Sequence, residues 1–523
     1  MMIPPDLLAV AMVVAAIGLL MAGYPVALTL AGVALAFAAL GDLAGIMGAG
    51  LLGALPQRIF GVMTNEVLLA IPLFVFMGVM LERSRVAEEL LDAMGRLFGR
   101  LPGGLAVAVV IVGVLLAAAK GIVGATTVTM GLIVLPTMLR HGYDPRLAAG
   151  TVAATATLAQ LFPPATVLVL LGDQMSNAYQ AAQLAQGNFA PQSVTVADLF
   201  AGAIVPALGL VVLYIAFVLG VAIVAPTSSP AVAADPTAPH GLAMLRRAIA
   251  VLVAPVLLIV AVLGSILGGL ATPTEAAAVG AFGALLLAAR PHPRDWGLWL
   301  VAMAAVLVAL RRLAAQGLTP GLLAAGDPAI VAPLALAALA ALLLALPIVR
   351  VHRAGILVPV LARTAEVTSM IFLILIGATL FSLVFRGLGG DDLVHRGLAD
   401  LPGGTAGAIL TVMLAIFLLG FVMDAFEIIF VVVPIVAPAL LKLPGVDPVW
   451  LAVMIALNLQ TSYLHPPLGP TLFFLRGVAP KEITTAHIYV GAIPFVLIQL
   501  AALAGLWFVP QLATWLPAVL YGR

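Results

Sequence analysis

The 523-residue sequence contains no cysteine. That excludes disulfides, thiolate-held metal and a cysteine nucleophile, and it leaves the redox compartment unreadable. Charge is scarce as well: Asp, Glu, Lys and Arg make up 9% of the chain, against roughly 25% in a soluble domain. With 64% hydrophobic residues and a mean hydropathy of +1.23, a water-soluble globule is excluded. The net charge of +1 and the lack of any basic tract leave no footprint for nucleic acid. Neither HExxH nor GxSxG occurs, which argues against an intramembrane enzyme.

What is present is apolar sequence in long runs. At about 20 residues per span these give about a dozen crossings, together with two hairpins that enter and return. The N-terminus lacks the positive segment of a signal peptide and is expected to be a retained first span, about 3–22. A second span, about 25–41, follows a turn at Gly23 and Pro25.

The stretch from Lys120 to Gly172 places glycines, threonines, a lysine and the pair Pro163-Pro164 inside membrane-grade sequence. Broken helix at membrane depth is tolerated only where protein buries it or a polar cavity borders it. In secondary transporters such breaks bind substrate and coupling ions and recur in a second, inverted half. Here a second copy runs from Leu401 to Gly477: LPGG opens both halves, YDPRLAAG answers VDPVWLAV, and Pro466-Pro467 answers the first proline pair. Pro145 to Pro163 and Pro448 to Pro466 have the same spacing. The expected fold is an all-α polytopic membrane protein with two inverted repeats, each holding a re-entrant hairpin and a broken helix.

The order of parts follows. Residues 1–100 hold N-terminal spans and an amphipathic surface helix, with Val86, Leu90, Leu91, Met94, Leu97 and Phe98 on one face. Its arginines, 83, 85, 96 and 100, place it in the cytoplasm. Residues 101–172 form the first hairpin, turning near GIVGATT, and the first broken helix, 147–172. Residues 173–247 hold a Lys- and Arg-free external loop, Asp173 to Asp198, then a span and a Pro/Ala/Ser linker ending in Arg246-Arg247. Residues 248–400 carry further spans and a weakly patterned insert, 296–350. Residues 401–477 form the second hairpin, entering from outside, with the second broken helix, and 478–523 are a C-terminal span.

Several strings resemble the large membrane subunit of tripartite ATP-independent periplasmic (TRAP) transporters, in the branch for keto acids and related carboxylates. They include GYPVALTLAG, GIVGATTVTMGLIVLPTMLRHGYD, GDQMSNA, ATPTEAAAVG, DAFEIIFVVVPIVAP and DPVWLAVMIALNLQTSYLHPPLG. The resemblance implies a multi-pass importer of the bacterial inner membrane. In it a transport domain holding both hairpins slides against a scaffold, elevator fashion, driven by a sodium gradient. It also implies a periplasmic substrate-binding protein and a small four-span membrane subunit as partners, a small organic anion as substrate, and no cofactor beyond the coupling ion. A carrier working alone, coupled to sodium or protons, shares the same fold class.

By the same resemblance, sodium sites lie where each hairpin tip meets its broken helix, at Gly121, Gly124, Thr126, Thr127 and Pro163 and at Gly420, Asp424, Thr461 and Pro466. Lys120, Gln160, Pro164, Glu427, Asn458, Gln460 and His465 are the substrate-side candidates. The residues support these roles and also plainer ones. Prolines free carbonyls that can ligate a cation, or merely kink a helix. Threonine hydroxyls ligate, or bond back to their own helix. The buried amides can serve neighbouring helices, and Asp424 and Glu427, acids within a membrane hairpin, are functional by default or form a structural salt bridge. Glu275, with Thr272, and the residues Asp144 and Asp447 are expected to cap helices.

Three positions depart from the family pattern. Lys120 and His465 stand where hydroxyl residues are expected, and Ala165 stands where serine is usual. These departures suggest that a fixed or titrating charge replaces one sodium: Lys120 would pair with Asp424, Glu427 or substrate, and His465, with an ordinary pKa of about 6.5, would titrate. The plainer readings are a snorkelling lysine and a neutral histidine hydrogen bond.

Overall fold

A computed structural model describes residues 4–47, 50–84, 86–99, 101–121, 123–232, 242–289, 301 and 328–522. Among them the regular structure is helical, with no strand. The first helices are α1 (Pro5–Met21), α2 (Val26–Leu43), α3 (Leu55–Met63), α4 (Ala70–Arg83), α5 (Val86–Phe98), α6 (Gly104–Lys120) and α7 (Val123–Arg140). Then come α8 (Pro145–Thr157), α9 (Thr166–Ala185), α10 (Val196–Val224), α11 (Leu242–Leu267) and α12 (Pro273–Ala288). The remainder is α13 (Pro328–Arg353), α14 (Leu357–Gly387), α15 (Gly390–Ala399), α16 (Gly404–Leu419) and α17 (Ala425–Leu441), followed by α18 (Pro448–Leu464), α19 (Pro470–Val478), α20 (Thr485–Phe508) and α21 (Gln511–Tyr521).

Five described helices are long and apolar enough to cross a bilayer, six if the bent α3/α4 pair is one span. The sequence suggested about twice that. The shortfall has a physical cause, since hairpin arms and broken-helix halves such as Gly404–Leu419 and Pro448–Leu464 are apolar but shorter than a full span.

Two bodies of helices share the chain. In one, α2, α4, α12 and α14 pack together. In the other, both hairpins, α6/α7 and α16/α17, pack with α8, α9, α18, α19, α10 and α20. They meet chiefly where α14 touches α17 and where α4 touches α6 and α9.

Local signals set most boundaries. Asp144 and Asp447 are the N-caps of α8 and α18, their carboxylates accepting from the amides of Arg146 and Trp450. Thr272 and Glu275 close a capping box on α12, with Pro273 as first helical residue. Gly121 ends α6 in the left-handed conformation at φ 62°, which glycine adopts without steric cost.

Two expectations need correction. The amphipathic α5 does not lie bare on the membrane surface. Its apolar face, Leu90, Leu91 and Met94, is buried, and the helix packs on α6 and α11. The loop expected over Asp173 to Asp198 is mostly helix, because α9 continues to Ala185 with no Pro or Gly between Asp173 and that residue to stop it. The segment after α14 folds as α15, its first turn carrying Asp391 and Asp392 where the helix dipole favours them. α3 and the segment leading into α4 are bent by 48° relative to each other. The 233–241 linker and most of the 296–350 insert lie outside the described residues.

Candidate functional site

Each broken helix is built alike. α8 tightens into a 3₁₀ turn at Leu158–Gln160, breaks over residues 161–165 and resumes as α9; α18 ends at Leu464, breaks over 465–469 and resumes as α19. Both proline pairs, Pro163-Pro164 and Pro466-Pro467, are joined by cis peptide bonds. The first pair is buried, whereas Pro466 is half-buried and Pro467 exposed.

Where the tips meet lies a partly open cavity of about 650 Å3. The first hairpin contributes Gly121, Gly124 and Ala125, the second Val422 to Glu427, and the first break Gln160. The facing wall comes from the other body: Glu82 and Arg83 of α4, and Arg363, Glu366 and Met370 of α14. Thus Gly121, Gly124, Gln160, Asp424 and Glu427, all picked from sequence, line one space. Gly124 is glycine for a reason visible here, since a Cβ would sit 3.1 Å from the Phe474 ring.

Asp424 and Glu427 form a capping box on α17. The Asp424 carboxylate accepts from the Ala425 amide at 2.8 Å, and the Glu427 carboxylate accepts from the Asp424 amide at 3.0 Å. The same Ala425 amide lies 2.8 Å from the Tyr463 hydroxyl. No salt bridge to either acid is formed among the described residues, so the expected salt-bridge alternative finds no partner there. Two carboxylates at one helix start, facing a cavity, make a cation-attracting point. Lys120 closes α6 directly before Gly121, and its side chain lies outside the described residues.

Other expected site residues turn elsewhere. Thr127 bonds back to the Val123 carbonyl at 2.8 Å and Thr461 to the Leu457 carbonyl at 2.9 Å, the plainer of their two readings. Thr126 is fully buried beside Thr127. The Asn458 amide donates to the Met413 carbonyl at 2.6 Å, tying α18 to α16. Gln460 points to Thr157 and Tyr214, at 3.4 and 3.5 Å, inside a buried polar knot that Gln499 completes. Gly420 packs against Ser462, where any Cβ would collide. His465 lies with its ring 5.2 Å from Phe417 and 5.4 Å from Phe421, its buried Nδ1 without a partner.

The structure adds residues that sequence reasoning passed over. The hydroxyls of Thr166 and Thr471 are buried and have no hydrogen-bond partner among the described residues, each just past a break. A Cβ on Gly121 would lie 2.7 Å from the Thr166 hydroxyl oxygen, so that hydroxyl abuts the first hairpin tip. The visible signal was position, a threonine at the restart of each broken helix. Among the described residues no group of three or more His, Asp or Glu is arranged for a metal.

The arrangement defines a class, a polytopic all-helical membrane protein. The architecture is shared with the solved YdaH transporter of Alcanivorax borkumensis: TM-score 0.52, 15% identity, covering 89% of this chain and 87% of that one. The family is settled by sequence. Residues 13–315 and 318–512 match the model of the tripartite ATP-independent periplasmic transporter, DctM component, and the chain belongs to that family. It is similar to the C4-dicarboxylate TRAP transporter large permease protein DctM of Vibrio cholerae, 27% identical over 90% of each chain. It is also similar to the isethionate TRAP transporter permease protein DctMQ of Oleidesulfovibrio alaskensis, 24% identical over 85% of this chain and 57% of that protein.

Proposed function

We propose that this chain is the large permease subunit of a binding-protein-dependent secondary transporter that imports small organic anions on a sodium gradient. The observation that carries the reading is the single cavity shared by both hairpin tips and walled by α4 and α14. A site bordered on one side by tips and breaks, and on the other by a separate helical body, can be exposed to either face by sliding one body along the other. That is an elevator. The substrate class rests on the two relatives named above, one for a C4-dicarboxylate and one for the sulfonate isethionate, both small anions; other relatives are named for ectoine. Arg83 and Arg363 in the cavity wall suit such a solute.

Sodium has a place in this reading at each break. The Thr166 hydroxyl and the backbone of the Gly121 tip would hold one ion, and the Thr471 hydroxyl with the second break another. The bound ion supplies positive charge that lets an anionic solute enter without net repulsion from Asp424 and Glu427. Lys120 and His465 support a further refinement, in which a fixed charge at Lys120 or a titrating one at His465 replaces one sodium. Sodium dependence left unchanged by Lys120→Thr and His465→Thr would remove it.

Two partners belong to the proposal: a periplasmic binding protein that delivers the solute, and a small membrane subunit of about four spans. The unmatched part of the DctMQ relative is where such a subunit would be fused. The test is uptake of labelled succinate by proteoliposomes holding this chain and its small subunit, with and without the binding protein. Uptake that needs both sodium and the binding protein supports the proposal. Uptake without any binding protein assigns the chain to a solitary carrier.

A further inference from the structure

The tip cavity is not alone on α14. A second cavity of about 380 Å3 lies further along the same helix, bordered by Leu375 to Arg386, whereas the first uses Arg363 to Met370. α17 is divided in the same way, with Ala425 to Glu427 at the tip cavity and Phe430, Pro434 and Pro438 at the second. Five residues separate Met370 from Leu375, about 7.5 Å of helical rise. The two cavities are therefore stacked along the seam between the two bodies. The second lies toward the C-terminal end of α14, the end that leads to the second hairpin, which is expected to enter from outside.

Its lining is rich in donors. Arg58 and Arg386 project guanidinium groups, Asn65, Gln174 and Asn177 carry amides, and Ser382 a hydroxyl. Asp173 is the one acid in this lining among the described residues, and its two oxygens accept from the Asn65 amide at 2.9 Å and the Gln174 amide at 3.0 Å. Arg386 has a partner, Asp391, at 3.2 Å. Arg58 is exposed and forms neither hydrogen bond nor ion pair among the described residues. Two guanidiniums beside amide donors match a carboxylate or sulfonate, which they can grip by paired, charge-assisted hydrogen bonds.

We propose that this cavity is an anion-capture site on the outer side of the path, where Arg58 and Arg386 bind the carboxylate of an incoming organic anion before it reaches the hairpin tips. The site deepens the transport reading and rests on it for its direction. Arg58 is the primary contact, being free of any described partner, and Arg386 exchanges Asp391 for the ligand. Only hydrogen bonds and ion pairs are exchanged; no covalent step is involved. Anionic lipid headgroups carry similar chemistry, so the test must separate the two sources.

The experiment uses the complex of this chain with its small subunit, in vesicles of phosphatidylcholine alone and in vesicles containing phosphatidylglycerol. Arg58 is labelled from outside with phenylglyoxal and quantified by mass spectrometry, with succinate as the probe and glycerol as the uncharged control. Succinate is expected to protect Arg58 in phosphatidylcholine vesicles and glycerol is not. In uptake, Arg58→Gln is expected to raise the KM for succinate about tenfold with the maximal rate largely retained, and Arg58→Lys to restore part of the loss. Protection by phosphatidylglycerol but not by succinate overturns the proposal in favour of a lipid site. Normal uptake with Arg58 neither protected nor sensitive to substitution overturns it while transport stands. Absent uptake with protection intact removes the transport reading and leaves the anion site, and absence of both removes both.

Discussion

Asp424 holds two roles that one substitution separates. As N-cap of α17 its carboxylate satisfies the Ala425 amide, and asparagine caps about as well as aspartate. Asp424→Asn should therefore keep the thermal stability of the purified protein while lowering sodium-driven uptake, whereas Asp424→Ala should also lose about 1 kcal/mol of stability. Equal uptake by wild type and Asp424→Asn would make the acid a cap and nothing more. The threonines divide similarly. Thr166 has a buried hydroxyl with no partner among the described residues, and Thr461 spends its own on the Leu457 carbonyl. Thr166→Val is expected to raise the sodium concentration for half-maximal uptake about tenfold, and Thr461→Val to leave it near the wild-type value. At this scale the sequence was informative where the cause was local. Asp144, Asp447 and the Thr272/Glu275 box were legible because a cap involves residues a few positions apart. The Tyr463 contact with Ala425 spans 38 positions and the Gln499 contact with Tyr214 spans 285. No local pattern encodes either.

The elements were legible where proline or glycine stops a helix. Both breaks fall at the proline pairs, and both hairpins turn at the glycines expected to turn them. Helix lengths were less legible, as in α9, whose polar residues suggested a loop although nothing in that stretch prevents a helix. The packing of α8 on α20 could not be read at all, since it depends on two glycines far apart in the chain. A Cβ on Gly150 would run into the Gly491 carbonyl, and one on Gly491 into the Arg146 carbonyl. The two backbones touch there. Gly150→Ala should force the helices apart and lower the melting temperature in detergent, a loss of roughly 1–3 kcal/mol by overpacking. Gly505→Ala, with nothing within 4 Å of the added carbon, should be neutral or slightly stabilising. Equal melting temperatures for the two variants would contradict the close crossing.

At the scale of the molecule, the seam between the two bodies is where motion must occur if the site is to face both sides. Two polar ties cross it among the described residues, the Asn65 amide on Asp173 and the Thr129 hydroxyl 2.8 Å from a Glu82 oxygen. Each costs only about 0.5–3 kcal/mol to exchange for water, a barrier a thermal fluctuation can cross. The sequence showed the repeated landmarks behind this arrangement. It did not show which helices form the facing wall, because α4 and α14 look like ordinary spans until Glu82, Arg83, Arg363 and Glu366 are seen lining the tip cavity. The measurement that bears most directly on the whole account is succinate uptake by proteoliposomes of this chain with its small subunit and binding protein, with and without an inward sodium gradient. The account predicts accumulation only when sodium gradient and binding protein are both present. Accumulation that persists when either one is withheld would contradict it.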